Sequence, residues 1–418
     1  MAGQNKENIY ANNEKHSTAE AGGAGGVRST AEAGGAGGKH GIINKRNSCN
    51  KTIILTGGGT AGHVIPNLVL LPLLLDDGWE VHYIGSRRGI EATLTRGSRA
   101  TYHAVQTGKL RRYFSFKNLF DPFKVLAGIC QSVYWVAKLK PAVIFSKGGF
   151  VAAPAVLGGR LLGTPAVIHE SDMSPGLANR MCAPFAAAIC LSFEKTMDAL
   201  PAKSRAKAVY TGTPVRPGLG AGDAGEGYRL CGFNKDKPVL LAIGGSMGSE
   251  CLNAVIRNAL PGLLTKWQVA HICGSGNTDT AFDGIEGYAQ FGYVDEEIAH
   301  LYKISRAAVS RAGSNTIFEL LDMRIPSVLI PLPATASRGD QLLNAAEFEK
   351  SGFSLKLEEK EITDNSVLPL LLETLDKEHG RFTASMDSAH APDSAALILG
   401  VIYKAALQKR IQDIGVGQ

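Results

Sequence analysis

The sequence predicts an α/β fold in which two parallel-sheet domains face one cleft. Two glycine-rich turns support this, and each follows a short apolar run: Thr52–Thr56 precedes Gly57–His63, and Val239–Ile243 precedes Gly244–Glu250. The runs are rich in aliphatic and β-branched residues without polar alternation, which is typical of parallel strands covered on both faces. From residue 52 onward, strand-like and helix-like segments alternate, which indicates repeated βαβ units.

Composition narrows the possible functions. The 418 residues, 44% of them hydrophobic, predict two or three domains. A formal net charge of +6 is too weak to indicate nucleic acid but is compatible with an anionic membrane surface or phosphorylated substrates. The seven cysteines include no Cys-x-x-Cys pair, which favours a reducing, cytosolic setting. No apolar run reaches the roughly 18 residues of a membrane-spanning helix, and the N-terminus lacks the hydrophobic core of a secretion signal.

The chain divides into segments of different composition. Within residues 1–50, the Gly/Ala-rich stretch Ser17–Gly26 recurs as Ser29–Gly38, and such weakly apolar sequence predicts a disordered tail. The glycine-loaded stretch after Pro217 suits an interdomain linker. The predicted segments that follow the tail are a first domain over 51–217, a linker region over 218–235, a second domain over 236–395, and a terminal amphipathic helix over 396–410 that packs back on the first domain.

Further strands are predicted from short runs of aliphatic and β-branched residues. These candidates are Val81–Gly85, Ala142–Ser146, Pro165–His169 and Ala188–Ser192 in the first half, and Val269–Cys273, Ala307–Ser310, Ser327–Ile330 and Phe353–Lys356 in the second.

The first glycine turn matches the pattern G-x-G-x-x-G through Gly57, Gly59 and Gly62. In a dinucleotide-binding domain, an acidic residue at the end of the second strand binds the ribose diol, whereas here that strand ends at Tyr83–Ser86 without an acid. The pattern therefore favours an anion cradle made by free amide groups at a helix start over a redox site. Strand–helix packing without a ligand is the alternative.

Two side chains near predicted strand ends are candidate general bases. His63 begins the helix after the first turn, where the helix dipole favours the neutral imidazole. Glu170, after His169, ends a strand at the sheet edge where open α/β proteins bind ligands. A structural hydrogen bond for His63 and helix capping by Glu170 are the alternatives.

The second half carries a candidate nucleotide-sugar site. At the start of a predicted helix, Ser314, Asn315 and Thr316 offer amide groups and polar side chains to a diphosphate, and Glu319 one turn later suits a ribose diol. Further along, Gln341 and Asn344 share a helix face and suit sugar hydroxyls. Ordinary helix capping by Ser314 and Thr316 is the alternative.

The segment Lys109–Lys124 contains five cations, five aromatic residues and one carboxylate. This pattern suits a lipid headgroup boundary, but also single-stranded nucleic acid or a loop with buried aromatic residues. The chain has no Asp-x-Asp, no histidine–carboxylate group with metal-ligand spacing and no P-loop. We therefore expect no dedicated metal site.

Several motifs occur together in the order of one family. They are Gly58–His63, His169–Glu170, Gly176–Asn179, Thr213–Arg216, Gly244–Gly248, and Arg311–Ser314 continuing through Glu319 to Gln341. From about residue 52 to 405, the chain resembles the peptidoglycan N-acetylglucosaminyltransferases that convert lipid I to lipid II. The resemblance implies a GT-B glycosyltransferase fold of two Rossmann-like domains, with the lipid-linked acceptor held by the first domain and the UDP-sugar mainly by the second.

The resemblance also implies residue roles. Thr60, Ala61 and Gly62 would line the acceptor side. On the donor side, Arg216, Ser246 and Ser314–Thr316 would face the diphosphate, Glu319 the ribose and Gln341 the N-acetylglucosamine. Further substrate-binding candidates are Asp172, Asn179 and Asn344. Two positions depart from the family pattern: Ala61 replaces a glycine and Asp172 replaces an asparagine.

The implied reaction inverts the anomeric carbon as the muramoyl 4-hydroxyl of the acceptor attacks and UDP departs, with His63 or Glu170 as base. The implied partners are UDP-N-acetylglucosamine, undecaprenyl-diphospho-muramoylpentapeptide and an anionic membrane surface, without a cofactor or nucleic acid. We expect peripheral attachment at the cytoplasmic face of the cell membrane. Another GT-B lipid glycosyltransferase and a catalytically silent nucleotide-sugar-binding protein are the alternatives.

Overall fold

The computed structural model describes residues 51–107, 121–245, 248–389 and 393–414, and the backbone alone for 121–124. The predicted tail over 1–50, Ser246 and the predicted membrane segment Lys109–Lys124, except for the backbone of its last four residues, lie outside this description.

The first domain is built on a seven-stranded parallel sheet with the order β3-β2-β1-β4-β5-β6-β7. Its strands are β1 Thr52–Thr56, β2 Glu80–Ser86, β3 Thr101–Val105, β4 Val143–Ser146, β5 Ala166–Glu170, β6 Ala188–Leu191 and β7 Ala208–Tyr210. Its helices are α1 Ile65–Asp76, α2 Ile90–Leu94, α3 Asp121–Leu139, α4 Ala152–Leu161, α5 Leu177–Cys182 and α6 Ala202–Arg205.

The second domain is built on a six-stranded parallel sheet with the order β10-β9-β8-β11-β12-β13. Its strands are β8 Val239–Ile243, β9 Gln268–Ile272, β10 Tyr288–Phe291, β11 Ser305–Ser310, β12 Ser327–Leu329 and β13 Ser354–Lys356. The helices from here on are α7 Ala224–Cys231, α8 Glu250–Leu263, α9 Ile298–Ile304, α10 Ser314–Asp322, α11 Asp340–Lys350, α12 Val367–Lys377, α13 His379–Ser388 and α14 Ser394–Ile414. The predicted fold of two parallel-sheet domains is confirmed.

The central strands bury side chains on both faces. In β1, Ile53 and Leu55 belong to one hydrophobic cluster, and Ile54 belongs to another. In β8, Leu240 and Leu241 likewise belong to different clusters. Because successive side chains of a strand point to opposite faces, both strands need apolar residues at every position.

The predicted linker over 218–235 contains helix α7. Asp223 caps this helix by accepting a hydrogen bond from Glu226 N at 2.7 Å, and Tyr228 packs in the second-domain core. A Cβ at Gly222 would lie 2.0 Å from Ala299 O. The glycines here therefore allow close packing on α9, where the sequence interpretation saw a linker.

Helix α14 packs against the sheet of the first domain. Ile398 and Ile402 are fully buried in the cluster that contains the β1 side chains, and Tyr403 stacks on Trp79. Near the other end, Lys409 Nζ donates to Pro141 O at 2.8 Å. The chain therefore returns to its first domain after completing the second.

Candidate active site

The first glycine turn is fixed by buried polar groups. Tyr83 donates its hydroxyl to Gly57 O at 2.7 Å, and Gly59, with a φ of +89°, donates its N–H to Glu91 Oε2 at 3.2 Å. A Cβ at Gly58 would lie 2.5 Å from the Glu91 carboxyl carbon. The turn thus requires glycine where it approaches Glu91. Ala61, by contrast, lies outside the positive-φ positions, so its departure from the family pattern adds no backbone strain.

His63 ends a short 3-10 turn before α1, and its ring is oriented by the backbone. Nδ1 lies 3.1 Å from Lys147 O, a contact that assigns the proton to Nδ1 and leaves Nε2 free to accept one. Burial lowers the pKa of His63, and the charges of Lys147 and Arg338 add to this effect, whereas Asp172 opposes it. The imidazole is therefore kept neutral by burial and nearby cations, in addition to the helix start that the sequence indicated.

Glu170 holds the loop that follows β5. Its Oε1 accepts hydrogen bonds from Ser171 N at 3.0 Å and Asp172 N at 3.2 Å, and its Oε2 accepts from Gly176 N at 2.8 Å and Asn179 Nδ2 at 2.9 Å. The residue is only 4% exposed. With both oxygens engaged by donors, this carboxylate orders the loop and is a poor candidate for a general base.

Asp172 and Asn344 connect the two domains. Asn344 donates to Asp172 Oδ1 at 3.1 Å and to Ala312 O at 3.2 Å, and it accepts from Met173 N at 3.0 Å. Asn344 is fully buried, so its amide cannot read sugar hydroxyls as the sequence predicted; it joins α11 to the loop after β5. Burial raises the pKa of Asp172, and the charges of Glu170 and Asp340 add to this shift.

Helix α10 begins at Ser314 without a side-chain cap. The capping that Ser314 and Thr316 could have supplied is therefore not formed, so the first amide groups of the helix have no side-chain cap. Asn315 Nδ2 lies 3.4 Å from Gly62 O, which brings the helix start against the first turn. Gln341 lies beside it and accepts from Leu332 N at 3.0 Å through its Oε1.

Arg216 and Glu319 form a hydrogen-bonded ion pair. Arg216 donates from Nε to Oε1 at 2.8 Å and from Nη2 to Oε2 at 3.0 Å, and Tyr302 donates its hydroxyl to Oε2 at 2.9 Å. Arg216 lines a separate cavity of about 620 Å³. In this structure, the residues predicted for the donor diphosphate and the ribose therefore neutralise one another.

One cavity of about 650 Å³ is lined by both domains and brings together most of the predicted site residues. These residues are Thr60, Ala61, Gly62, His63, Glu170, Asp172, Asn179, Ser314, Asn315, Thr316 and Gln341. Asn179 is held beneath the loop by its bonds to Glu170 Oε2 and, at 3.0 Å, to His169 O. The sequence-predicted acceptor and donor residues thus share one space.

Arg338 is a site residue that the sequence interpretation missed. Among the described residues lining the cavity, it is the single lysine or arginine. Its Nη2 lies 3.0 Å from Asp340 Oδ2 and 3.4 Å from Asp172 Oδ2. The sequence signal that could have identified Arg338 is its position just before Asp340 and the predicted site residue Gln341.

Within the described parts of the chain, no group of three or more His, Cys, Asp or Glu side chains is arranged to hold a metal ion. The same parts contain no helix with the length and apolar character needed to cross a bilayer.

Comparison with known proteins identifies both halves of the chain. Residues 53–191 match the glycosyltransferase family 28 N-terminal domain, and residues 239–398 match the family 28 C-terminal domain. The chain is 49% identical over 357 residues to the UDP-N-acetylglucosamine–N-acetylmuramyl-(pentapeptide) pyrophosphoryl-undecaprenol N-acetylglucosamine transferase of Geobacillus thermodenitrificans, covering 85% of this chain and 99% of the relative. The Clostridium tetani protein of the same name is 50% identical over 321 residues, covering 77% and 89%.

A solved structure shares the fold. The crystal structure of Acinetobacter baumannii MurG superposes with a TM-score of 0.69 at 23% identity, covering 85% of this chain and 99% of that one.

Proposed function

Because this chain belongs to the UDP-N-acetylglucosamine–N-acetylmuramyl-(pentapeptide) pyrophosphoryl-undecaprenol N-acetylglucosamine transferase family, we propose that it is the hexosyltransferase that forms lipid II. It transfers N-acetylglucosamine from UDP-N-acetylglucosamine to the muramoyl 4-hydroxyl of undecaprenyl-diphospho-muramoylpentapeptide. The observation that carries this proposal is the shared cavity, in which His63 of the first domain faces the uncapped start of α10 from the second.

His63 is the proposed general base. Its Nδ1 proton is held by Lys147 O, so Nε2 accepts the proton of the attacking 4-hydroxyl. The oxygen then forms a bond to the anomeric carbon from the side opposite the diphosphate, whose bond to that carbon breaks with inversion. Glu170 is the weaker candidate because its two oxygens already accept four hydrogen bonds.

The departing UDP carries negative charge that must be stabilised. We assign this role to the amide groups at the start of α10, around Ser314–Thr316, and to Arg338. The pair uses two of the five N–H donors of Arg216, so its guanidinium group retains donors for the diphosphate. Glu319 already accepts three hydrogen bonds and must give up at least one of them to accept two from a ribose diol. Gln341 is proposed to contact the transferred sugar through its amide nitrogen, because its oxygen is bonded to Leu332 N.

Peripheral attachment to an anionic membrane at the cytoplasmic face is proposed through Lys109–Lys124. Next to this segment, Leu126 and Tyr134 of α3 are more than half exposed, at 59% and 56%, and Lys138 lies 5.7 Å from the Tyr134 ring centre. Apolar side chains beside cations suit a headgroup boundary. Flotation with anionic vesicles tests this surface. The combined substitutions Arg111→Glu, Arg112→Glu and Phe114→Ser should abolish binding, and unchanged flotation would exclude it.

The function is tested by transfer of labelled N-acetylglucosamine to a lipid I analogue. We expect product from UDP-N-acetylglucosamine with this acceptor, and none from UDP-galactose or with diacylglycerol as acceptor. Calorimetric binding of UDP-N-acetylglucosamine without UDP release in the presence of lipid I would instead indicate a silent binding protein. Preference for UDP-galactose with diacylglycerol would indicate a different lipid glycosyltransferase.

A further inference from the structure

Lys147 follows strand β4 and is buried immediately behind the cavity. The residue is 1% exposed, and its position is fixed by the hydrogen bond from its N–H to Thr56 O, at 2.9 Å, at the end of β1. Burying an ammonium group is energetically unfavourable unless its surroundings compensate. A lysine at this place therefore requires an explanation in its contacts.

The ammonium group is held by neutral partners. Lys147 Nζ hydrogen-bonds to His169 Nδ1 and to Ser171 Oγ. His169 Nε2 lies 2.9 Å from Gly212 O, which assigns the proton to Nε2 and makes Nδ1 the acceptor. Burial lowers the pKa of His169 well below its ordinary value, and Lys147 adds to this. Lys147 is thus anchored without a direct carboxylate bond.

The same residue contacts the proposed base and the loop after β5. Its backbone oxygen accepts the Nδ1 proton of His63 at 3.1 Å, and its side chain holds Ser171, the residue before Asp172. A Cβ at Gly149 would lie 3.2 Å from His63 Cδ2 and 2.2 Å from Gly58 O. Because Gly149 has no side chain, this loop lies directly against His63 and the first glycine turn.

We propose that Lys147 is a positioning residue for glycosyl transfer, whose carbonyl orients His63 and whose buried ammonium group fixes the loop after β5 and acts electrostatically on His63. This inference rests on the proposed function, in which His63 is the base. Lys147 does not line the cavity among the described residues, so it acts through His63 and Ser171.

The surrounding charges determine whether Lys147 raises or lowers the pKa of His63. Burial lowers the pKa of Lys147 to about 7, against the charges of Glu170, Asp172 and Cys190. The pKa of His63 is lowered by burial and by Lys147 and Arg338, against Asp172. His63 gains its proton below pH 6.5, where Lys147 is also protonated. The positive charge of Lys147 opposes this protonation, so removal of the charge raises the pKa of His63.

The test is Lys147→Met, which retains an unbranched chain and removes the charge. We expect the pKa of His63, measured by NMR on histidine-labelled protein, to rise by about one unit. The acid limb of the kcat/KM profile for transfer to the lipid I analogue should move to higher pH by the same amount. At neutral pH, kcat should fall about tenfold with KM for UDP-N-acetylglucosamine within about twofold, because Lys147 touches neither substrate.

The matched control is Lys207→Met, which removes a first-domain lysine that donates to Ala186 O at 2.9 Å and does not line the cavity. If Lys147→Met folds and its His63 pKa and its kcat both equal those of Lys207→Met, the proposal is overturned. If Lys147→Met does not fold, Ser171→Ala keeps the charge and removes one acceptor. It should lower kcat about threefold with the His63 pKa unchanged, and unchanged kcat would overturn the positioning role.

The NMR titration does not depend on catalysis. If the wild-type protein transfers nothing to lipid I, the proposed function fails, while the His63 titration still reports whether Lys147 acts on that ring.

Discussion

The guanidinium group of Arg216 and the carboxylate of Glu319 form two hydrogen bonds, at 2.8 Å and 3.0 Å, between residues separated by 103 positions in the chain. Glu319 is 6% exposed, and Tyr302 supplies a third hydrogen bond to it. This pair ties the segment after β7 to α10, the helix whose start lines the cavity. A contact of Glu319 with the donor substrate must displace part of this pair, whereas Arg216 keeps N–H donors that the pair does not use.

Replacement of Arg216 by methionine should destabilise the protein by about 3 kcal/mol, because Glu319 is left buried without its cation. The double variant Arg216→Met, Glu319→Gln should recover about half of this loss, since no unpaired charge remains. Urea unfolding of the wild type and the two variants measures the difference. Equal stability of the single and double variants would show that the carboxylate tolerates the loss of Arg216.

His63→Ala should lower kcat by about 10² to 10⁴, the usual contribution of a positioned base, with little change in the melting temperature. Glu170→Gln should instead lower the free energy of unfolding by about 1 to 3 kcal/mol, because an amide cannot accept all the hydrogen bonds that the carboxylate accepts. Single-turnover kinetics and thermal unfolding separate the two effects. Near-normal kcat in His63→Ala with a loss of several orders of magnitude in Glu170→Ala would reverse the assignment.

Arg338→Met should lower kcat/KM by about 10 to 100-fold, because it removes the one cation lining the described part of the cavity. Separate titrations of UDP-N-acetylglucosamine and the lipid I analogue should show which diphosphate depends on it. Arg229→Met is the control, since Arg229 is exposed on α7 and paired with Glu226. Activity equal to this control would remove Arg338 from the site.

Chelation of divalent metals should leave the transfer rate unchanged, because the α10 amide groups and Arg338 supply the charge compensation proposed for UDP. The measurement is the initial rate with and without EDTA, after dialysis against the chelator. A loss of rate that Mg²⁺ restores would contradict this expectation.

The central strands could be predicted from the sequence because burial on both faces leaves a continuous apolar run. Thr52–Thr56 and Val239–Ile243 have the predicted bounds. The edge strands β3, Thr101–Val105, and β10, Tyr288–Phe291, were missed, and both are only partly buried. Their mixed polar and apolar residues give no continuous signal.

The cavity could be anticipated from residues that follow strands, because parallel strands end at one sheet edge. The hydrogen-bond partners of those residues could not be predicted. Asn344 shares a sequence pattern with Gln341, but only the packing of α11 against Met173 shows that its amide is consumed. Lys147 and Arg338 are single charges in short motifs. The burial of Lys147 and the neighbours of both residues become visible only in three dimensions.

The packing of α14 on the first sheet makes the first domain discontinuous in sequence, with the whole second domain inserted between β7 and α14. A fragment ending at residue 217 would expose the surface that Ile398 and Ile402 cover, next to Trp79, which stacks on Tyr403. An autonomous first domain therefore requires residues 51–217 joined by a short connection to 393–414. The second domain, in contrast, is joined to the first by two connections, one after β7 and one before α14. A chimera that exchanges this domain between related enzymes must therefore cut the chain at both connections.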